Sequence, residues 1–194
     1  MMAAEEWQLI EEAKNGNESS FEALILSCKK KAWNIAFQYM RNENDALDAL
    51  QESFIKIYKN LNSFKGDSRF DTWVHRITVN TCKDMLRKNE KYKLNDSLYT
   101  GGDDGDYMRE FPDLEPGPED AVVMSELASE LLRCVDMLPP DHKDVIILRD
   151  IRNLSYEEIS VILDASLGTV KSRINRARGN LRRMWLEQKA GKDV

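Results

Sequence analysis

Three cysteines in 194 residues, at positions 28, 82 and 134, are too few, too far apart and odd in number for a disulfide framework. None sits in a C-x-x-C pair, so a cysteine zinc site is not indicated either, and buried free thiols are expected. Histidine is as scarce. His75 and His142 stand alone, which gives no support to a nucleophile–base pair or a histidine-ligated metal, and each is expected at the surface or partly buried. There is no G-x-x-x-x-G-K-[ST] phosphate loop, no internal repeat and no strand-type alternation. No apolar run approaches the ~20 residues of a membrane helix, and the start MMAAEEWQLI is acidic, unlike a secretory signal. A cytoplasmic protein without cofactor, metal or small-molecule substrate is expected.

Glycine and proline are sparse and unevenly spread. Between Leu94 and Glu130 stand eleven acidic residues against one basic, together with Gly101, Gly102, Gly105, Pro112, Pro116, Gly117 and Pro118. Such a composition cannot bury a core and predicts a flexible acidic linker over 94–118. The fold class is all-α, with small helical domains at 1–93 and 119–194, and 42% hydrophobic residues suffice for their cores. The net charge of −6 argues against a protein that coats DNA indiscriminately, so any DNA contact must be local.

The strongest local signal is SYEEISVILDASLGTVKSRINRARGNLRR, Ser155 to Arg183. Ser155 and Glu158 stand at capping-box spacing, and Leu154 and Ile159 can staple around them. Tyr156, Ile159 and Leu163 share one face of the helix that follows. Asp164-Ala165-Ser166 then interrupts, with Asp tolerant of left-handed backbone and Ser166 able to cap a second helix. This is the spacing of a helix-turn-helix. In the second helix Val170, Ile174, Ala177 and Leu181 make a stripe that must be buried. Ser172, Asn175, Arg176 and Arg183 then point away from it, Lys171, Arg178 and Arg182 line one flank, and Arg173 lines the other. Six basic residues and no acid lie between Ala165 and Leu186. A face of Arg, Ser and Asn suits base edges in a major groove, with flanking cations on phosphates.

In the first domain an acidic amphipathic start precedes a long core helix, capped at Asn17 to Ser20 and carrying Phe21, Leu24, Cys28, Ala32, Ile35 and Tyr39. The pattern breaks at Asn42-Glu43-Asn44. It resumes from Asp45 to Leu61, with Ala46, Leu50, Phe54, Ile57, Tyr58 and Leu61 expected inside and Asp45, Asp48 and Glu52 on the polar face beside Gln51. Three carboxylates on one helix lack the second set of oxygens that a hard cation needs. A loop from Asn62 to Arg69 follows by composition. A helix from Asp71 to Lys88 buries Phe70, Trp73, Val74, Ile77 and Met85 and carries Arg76, Asn80, Lys83 and Arg87 on one flank, a stripe able to track a single strand. In the second domain Met124, Leu127, Leu131, Val135 and Leu138 form one helical pattern, which Pro139-Pro140 ends, and Val145, Ile146 and Leu148 belong to the next.

DALDALQESF (Asp45 to Phe54), FKGDSRFDTWVHRITVNTCKDMLRK (Phe64 to Lys88), LPPDHKDVIILRDIRNLSYEEIS and GTVKSRINRAR resemble the extracytoplasmic-function sigma factors of bacterial RNA polymerase, the sigma-E type in particular. The resemblance covers nearly the whole chain. It implies a first domain that binds the β′ clamp helices and captures a −10 element, and a second that binds the β flap and reads a −35 element. By the same resemblance Asp48, Gln51 and Glu52 contact core polymerase. Phe64, Asp67 and Ser68 in the loop, with Asn80, form a pocket for a flipped −10 base, and Arg76 and Lys83 face the strand. Lys171, Ser172, Arg173, Asn175, Arg176 and Arg178 match the −35 reading helix, with Tyr156 and Thr169 near phosphates. An anti-sigma factor, often membrane-anchored, is the further partner implied. The chain departs from the family at Asp164, where many members have Gly, and at Ser160, where a small apolar residue is usual.

Two other readings compete. A stand-alone helix-turn-helix regulator would need no polymerase for promoter binding. A metal-dependent nuclease built on Asp45, Asp48 and Glu52 would need a second ligand set, for which nothing nearby in sequence provides.

Overall fold

The computed structural model describes residues 4–96 and 118–190, with side chains at 4–89 and 127–190. The acidic linker lies outside the described residues except at its two ends. By contact the chain divides into two compact units, one of residues 1–99 with 155–166, the other of 100–154 with 167–194. Among the described residues there is no strand, and no helix is long and apolar enough to cross a membrane.

The first unit begins with α1 (Ala4–Lys14), α2 (Glu18–Met40) and α3 (Glu43–Asn60). Both breaks are chemical caps. The side chain of Asn17 accepts from Ser20 N, and that of Asn42 accepts from Asp45 N, so α3 starts two residues ahead of the expected position. Arg41 closes α2 in the left-handed region at φ 57°. A 3₁₀ turn (Leu61–Ser63) and the loop 64–69 lead into α4 (Phe70–Asp96). α4 continues eight residues past the predicted end at Lys88, because RKNEKYKLND contains neither glycine nor proline to stop it.

α2 packs against α1, α3 and α4, and the shared core holds Ile10, Leu24, Cys28, Ala32, Leu50, Ile57, Phe70 and Val74. α1 is tied down by a polar contact as well. Ser20 Oγ donates to Glu12 Oε2 at 2.6 Å, and this bond, with a second from Gln8, holds the Glu12 carboxyl below its ordinary pKa. His75, expected at the surface or partly buried, is buried in the body of α4. Tyr58, expected inside, is 59% exposed and lies edge-on to Phe21, with ring centroids 5.0 Å apart.

The second unit contains α5 (Pro118–Asp136), α6 (Pro140–Ile146) and α8 (Leu167–Ala190). Pro139-Pro140 both ends α5 and opens α6, since a proline in the first helical turn sacrifices only an N–H that has no partner there. α6 runs on as a π-helical turn over Ile147–Ile151, closed by Arg152 N to Ile147 O at 2.9 Å. Val145, Ile146, Ile147 and Leu148 are buried in succession, a wider apolar arc than an α-helical stripe provides. Cys134 and Val135 of α5 and Leu138 just after it complete this core, whereas Leu131 is 41% exposed against expectation. The Cys134 thiol donates to Gln188 Oε1 at 3.0 Å. Between α6 and α8 in sequence lies α7 (Tyr156–Leu163), with Ile159 and Ile162 buried.

The three cysteines are free and buried. Burial pushes the Cys28 and Cys82 thiols up to about 12. At neutral pH an alkylating reagent should therefore label neither in native protein and both once urea unfolds it, with mass spectrometry as the readout. A raised native pKa means that the folded chain keeps protons the unfolded chain releases. Stability should therefore fall as pH climbs from 9.0 towards about 12.

Candidate nucleic-acid interface

The helix-turn-helix is specified residue by residue. Glu158 N donates to Ser155 Oγ at 3.1 Å and Ser155 N donates to Glu158 Oε2 at 2.8 Å, so the capping box closes in both directions. Asp164 ends α7 in the left-handed region at φ 50°, where its short polar side chain is tolerated. Ser160 then fixes the turn twice. Its carbonyl accepts from Ala165 N at 3.0 Å and its hydroxyl donates to Ala165 O at 2.6 Å. The family resemblance would place a small apolar residue at this position. The structure gives it a task that a small apolar residue could not perform.

On α8, Val170, Ile174 and Ala177 are fully buried and Leu181 is partly so, which turns Ser172, Asn175 and Arg176 outward as the spacing requires. Lys171, Asn175 and Arg176 are exposed and have no hydrogen-bond or ion-pair partner among the described residues. Ser172 spends its hydroxyl proton on Thr169 O at 2.9 Å and can only accept from a ligand. Three further arginines of α8 are engaged. Arg173 meets Asp141 at 3.0 Å, Arg178 donates through Nε to Asp150 Oδ2 at 3.1 Å and pairs with Oδ1 as well, and Arg183 Nη2 reaches Asn180 Oδ1 at 3.4 Å. Asn180 Nδ2 in turn donates to His142 Nδ1 at 3.0 Å. Tyr156 and Thr169 are half-buried. Acids of the α6 segment therefore already hold Arg173 and Arg178, two of the residues that the family resemblance assigns to the −35 reading helix.

In the first unit the loop 64–69 is anchored from beneath. Phe64 is 2% exposed, with ring centroids 5.5 Å from Phe70, 5.3 Å from Trp73 and 6.4 Å from Trp7. It was expected in the base pocket. It is instead the buried root of the loop, because an aromatic ring in an aromatic cluster gains more from burial than from water. Gly66, at φ 82°, bends the loop in a conformation that side chains resist. Asp67 is exposed, and Ser68 Oγ donates to Arg69 O at 3.3 Å. Below the loop, Asp71 accepts from Lys31. Along α4, Arg76 and Asn80 are exposed and Lys83 is half-buried, while Arg87 pairs with Asp84 at 3.3 Å.

α3 presents a different surface. Asp48, Gln51 and Glu52 are exposed, with Glu52 3.7 Å from the Lys56 amine. Beside them Leu47 is 42% exposed and Ile55 48%, and with Tyr58 these three apolar side chains cover an outward sector of about 80°. Sequence reading picked out the acids and missed these apolar neighbours. The signal was present, since Leu47, Gln51 and Ile55 recur every four residues off the buried stripe. Among the described residues no three His, Cys, Asp or Glu side chains come together to hold a metal.

Residues 24–92 match Sigma-70 region 2 and residues 128–181 match Sigma-70, region 4. The ECF RNA polymerase sigma-E factor of Haemophilus influenzae is 37% identical over 171 residues, covering 88% of this chain and 89% of that protein. This chain belongs to the extracytoplasmic-function sigma factors of the sigma-70 family. The RNA polymerase sigma-H factor of Pseudomonas aeruginosa is 35% identical over 175 residues, with 88% and 89% covered. The fold is similar to that of the sigma factor RpoE of Bartonella quintana, crystallised with the anti-sigma factor NepR, at a TM-score of 0.65 and 22% identity over 85% of this chain and 96% of that one. As a sigma factor the protein directs RNA polymerase to promoters. α7 and α8 as far as Leu181 fall within the region 4 match, and the loop 64–69 and the exposed face of α4 up to Arg87 fall within the region 2 match.

Replacing Ser160 with alanine should cost about 0.5–1.5 kcal/mol, the net value of a hydrogen bond lost at a partly buried turn. Thermal unfolding of the S160A protein beside the parent gives the number.

Proposed function

We propose that this sigma factor works as two modules, residues 1–93 on core polymerase and the −10 strand and residues 119–194 on the −35 duplex, with the acidic segment 94–118 between them. The observation that carries the polymerase half is the outward face of α3. Exposed Leu47, Ile55 and Tyr58 among Asp48, Gln51 and Glu52 make a mixed apolar–acidic surface of the kind protein partners cover. A stand-alone helix-turn-helix regulator has no use for it. That face takes the β′ clamp helices, and the second module takes the β flap.

On the −10 side, Asn80, Asp67 and Ser68 hold an extruded base, with Phe64 as the loop's anchor, while Arg76 and Lys83 follow the strand. On the −35 side, Lys171, Ser172, Asn175 and Arg176 enter the major groove, with Tyr156 and Thr169 beside phosphates. Extruding a base costs a few kcal/mol, and stacking it returns about 1–3 kcal/mol. These nearly cancel. Opening therefore depends on polymerase holding both modules to one DNA, which raises the effective concentration of the second contact once the first has formed. The net charge of −6 works in the same direction, since it disfavours binding to DNA without polymerase.

The Bartonella quintana neighbour is bound to an anti-sigma factor. We extend that relationship to this chain, with a cognate anti-sigma factor covering the polymerase-binding surfaces. The protein acts in the cytoplasm as an initiation factor and not as a catalyst.

Run-off transcription with purified core enzyme tests the proposal. Transcripts should appear only when this chain is added, and promoter binding that proceeds equally well without core would favour the stand-alone regulator. In that assay Arg176→Ala should lose about 1–3 kcal/mol of discrimination at one −35 position if the guanidinium pairs with a base. Equal weakening on every sequence would assign it to phosphate. Asn80→Ala should slow promoter opening, followed by permanganate reactivity of unpaired thymines, and leave binding to the −35 duplex unchanged.

A further inference from the structure

α8 is gripped from both flanks by a single short element. At one end of that element Asp141 holds Arg173 and His142 accepts from Asn180, two α8 positions within about 20° of each other around the axis. At the other end Asp150 holds Arg178, about 140° away from Arg173 on the opposite flank. The π-helical turn at Ile147–Ile151 is what brings Asp150 into line. Re-closing it as an α-helix would swing that carboxylate by about 100°. Between the two grips lie the positions facing outward, Ser172, Asn175 and Arg176.

The grips use acids where structure alone would be satisfied by neutral groups. Of the seven cations on α8, Arg173 and Arg178 are the two that meet carboxylates among the described residues. Both pairs sit at the surface, with side-chain exposures of 31% and 60% for Arg173 and Asp141 and of 50% and 32% for Arg178 and Asp150. Exposed pairs are weak, so a DNA phosphate can take the carboxylate's place. The displaced carboxylate nevertheless remains within a side chain's length and repels that phosphate.

We propose that Asp141 and Asp150 are specificity-determining residues, standing in for DNA phosphates on Arg173 and Arg178 so that the helix does not hold duplexes it cannot read. On an arbitrary duplex the exchange of carboxylate for phosphate gains little and the acids oppose it. On the preferred −35 element, Lys171, Asn175 and Arg176 supply the base-edge contacts that make the exchange favourable. The inference rests on the −35 assignment made above.

The test uses the full-length chain assembled with core polymerase, bound to labelled duplexes with and without the −35 element found by run-off, across roughly 50 to 200 mM salt. For D141N/D150N, binding to the arbitrary duplex should tighten about tenfold. The slope of log K against log salt should steepen by about 1–2, close to 0.9 for each arginine released to a phosphate. The preference for the −35 duplex should shrink by a similar factor. Adding R178Q to D150N should return the slope to the parental value, a reversal that a merely structural carboxylate would not produce. Unchanged slope and preference in D141N/D150N, or weaker binding to every duplex, would overturn the inference and leave the −35 assignment standing. A parental protein with no preference among −35 duplexes would remove both.

Discussion

A helix can offer one face to DNA only if its opposite face is held, and in this protein that hold is the burial of Val170, Ile174 and Ala177. The three side chains set the rotation of α8 about its axis, and all that is proposed for its outer surface follows from it. Burial of aliphatic groups is not directional, so a stripe alone would allow some rocking. The polar contacts of Asp141, His142 and Asp150 supply the missing direction. The turn ahead of α8 is closed in the same spirit, with Ser160 bonding through both its carbonyl and its hydroxyl.

The two candidate DNA surfaces are built on different principles. On α8 the side chains project from a regular helix, and their aim is inherited from the core beneath. The loop 64–69 has no such regularity. Its path is set by the left-handed Gly66 and by Phe64, which sinks into a cluster with Phe70 and Trp73. A helix face suits a duplex whose groove has a fixed shape. A loop over an aromatic floor suits a flexible strand that must be drawn in and held.

Much of this was legible before any coordinates, because helical periodicity and capping chemistry are local. The stripe on α8, the capping box at Ser155 and the left-handed Asp164 all follow from residues within a few positions of one another. What was not legible depends on partners distant in sequence. Arg178 finds Asp150 twenty-eight residues earlier, and only a π-helical turn that no sequence pattern announced puts the acid within reach. Phe64 looked like a loop residue by its neighbours, and its burial is decided by Phe70, Trp73 and Trp7. Tyr58 and Leu131 fitted apolar stripes but lie where those stripes leave the core.

The contact between Trp7 and Phe64 joins a part of the chain that the family match omits to a part that it includes. Region 2 is recognised from residue 24 onward, yet Ile10 is fully buried in the core and Trp7 flanks the root of the loop 64–69. A fragment trimmed to the recognised boundaries would lack that lid of indole and isoleucine. The ring under the loop would then face water on one side, and the surface proposed for the strand would lose its floor before losing any residue proposed to touch it.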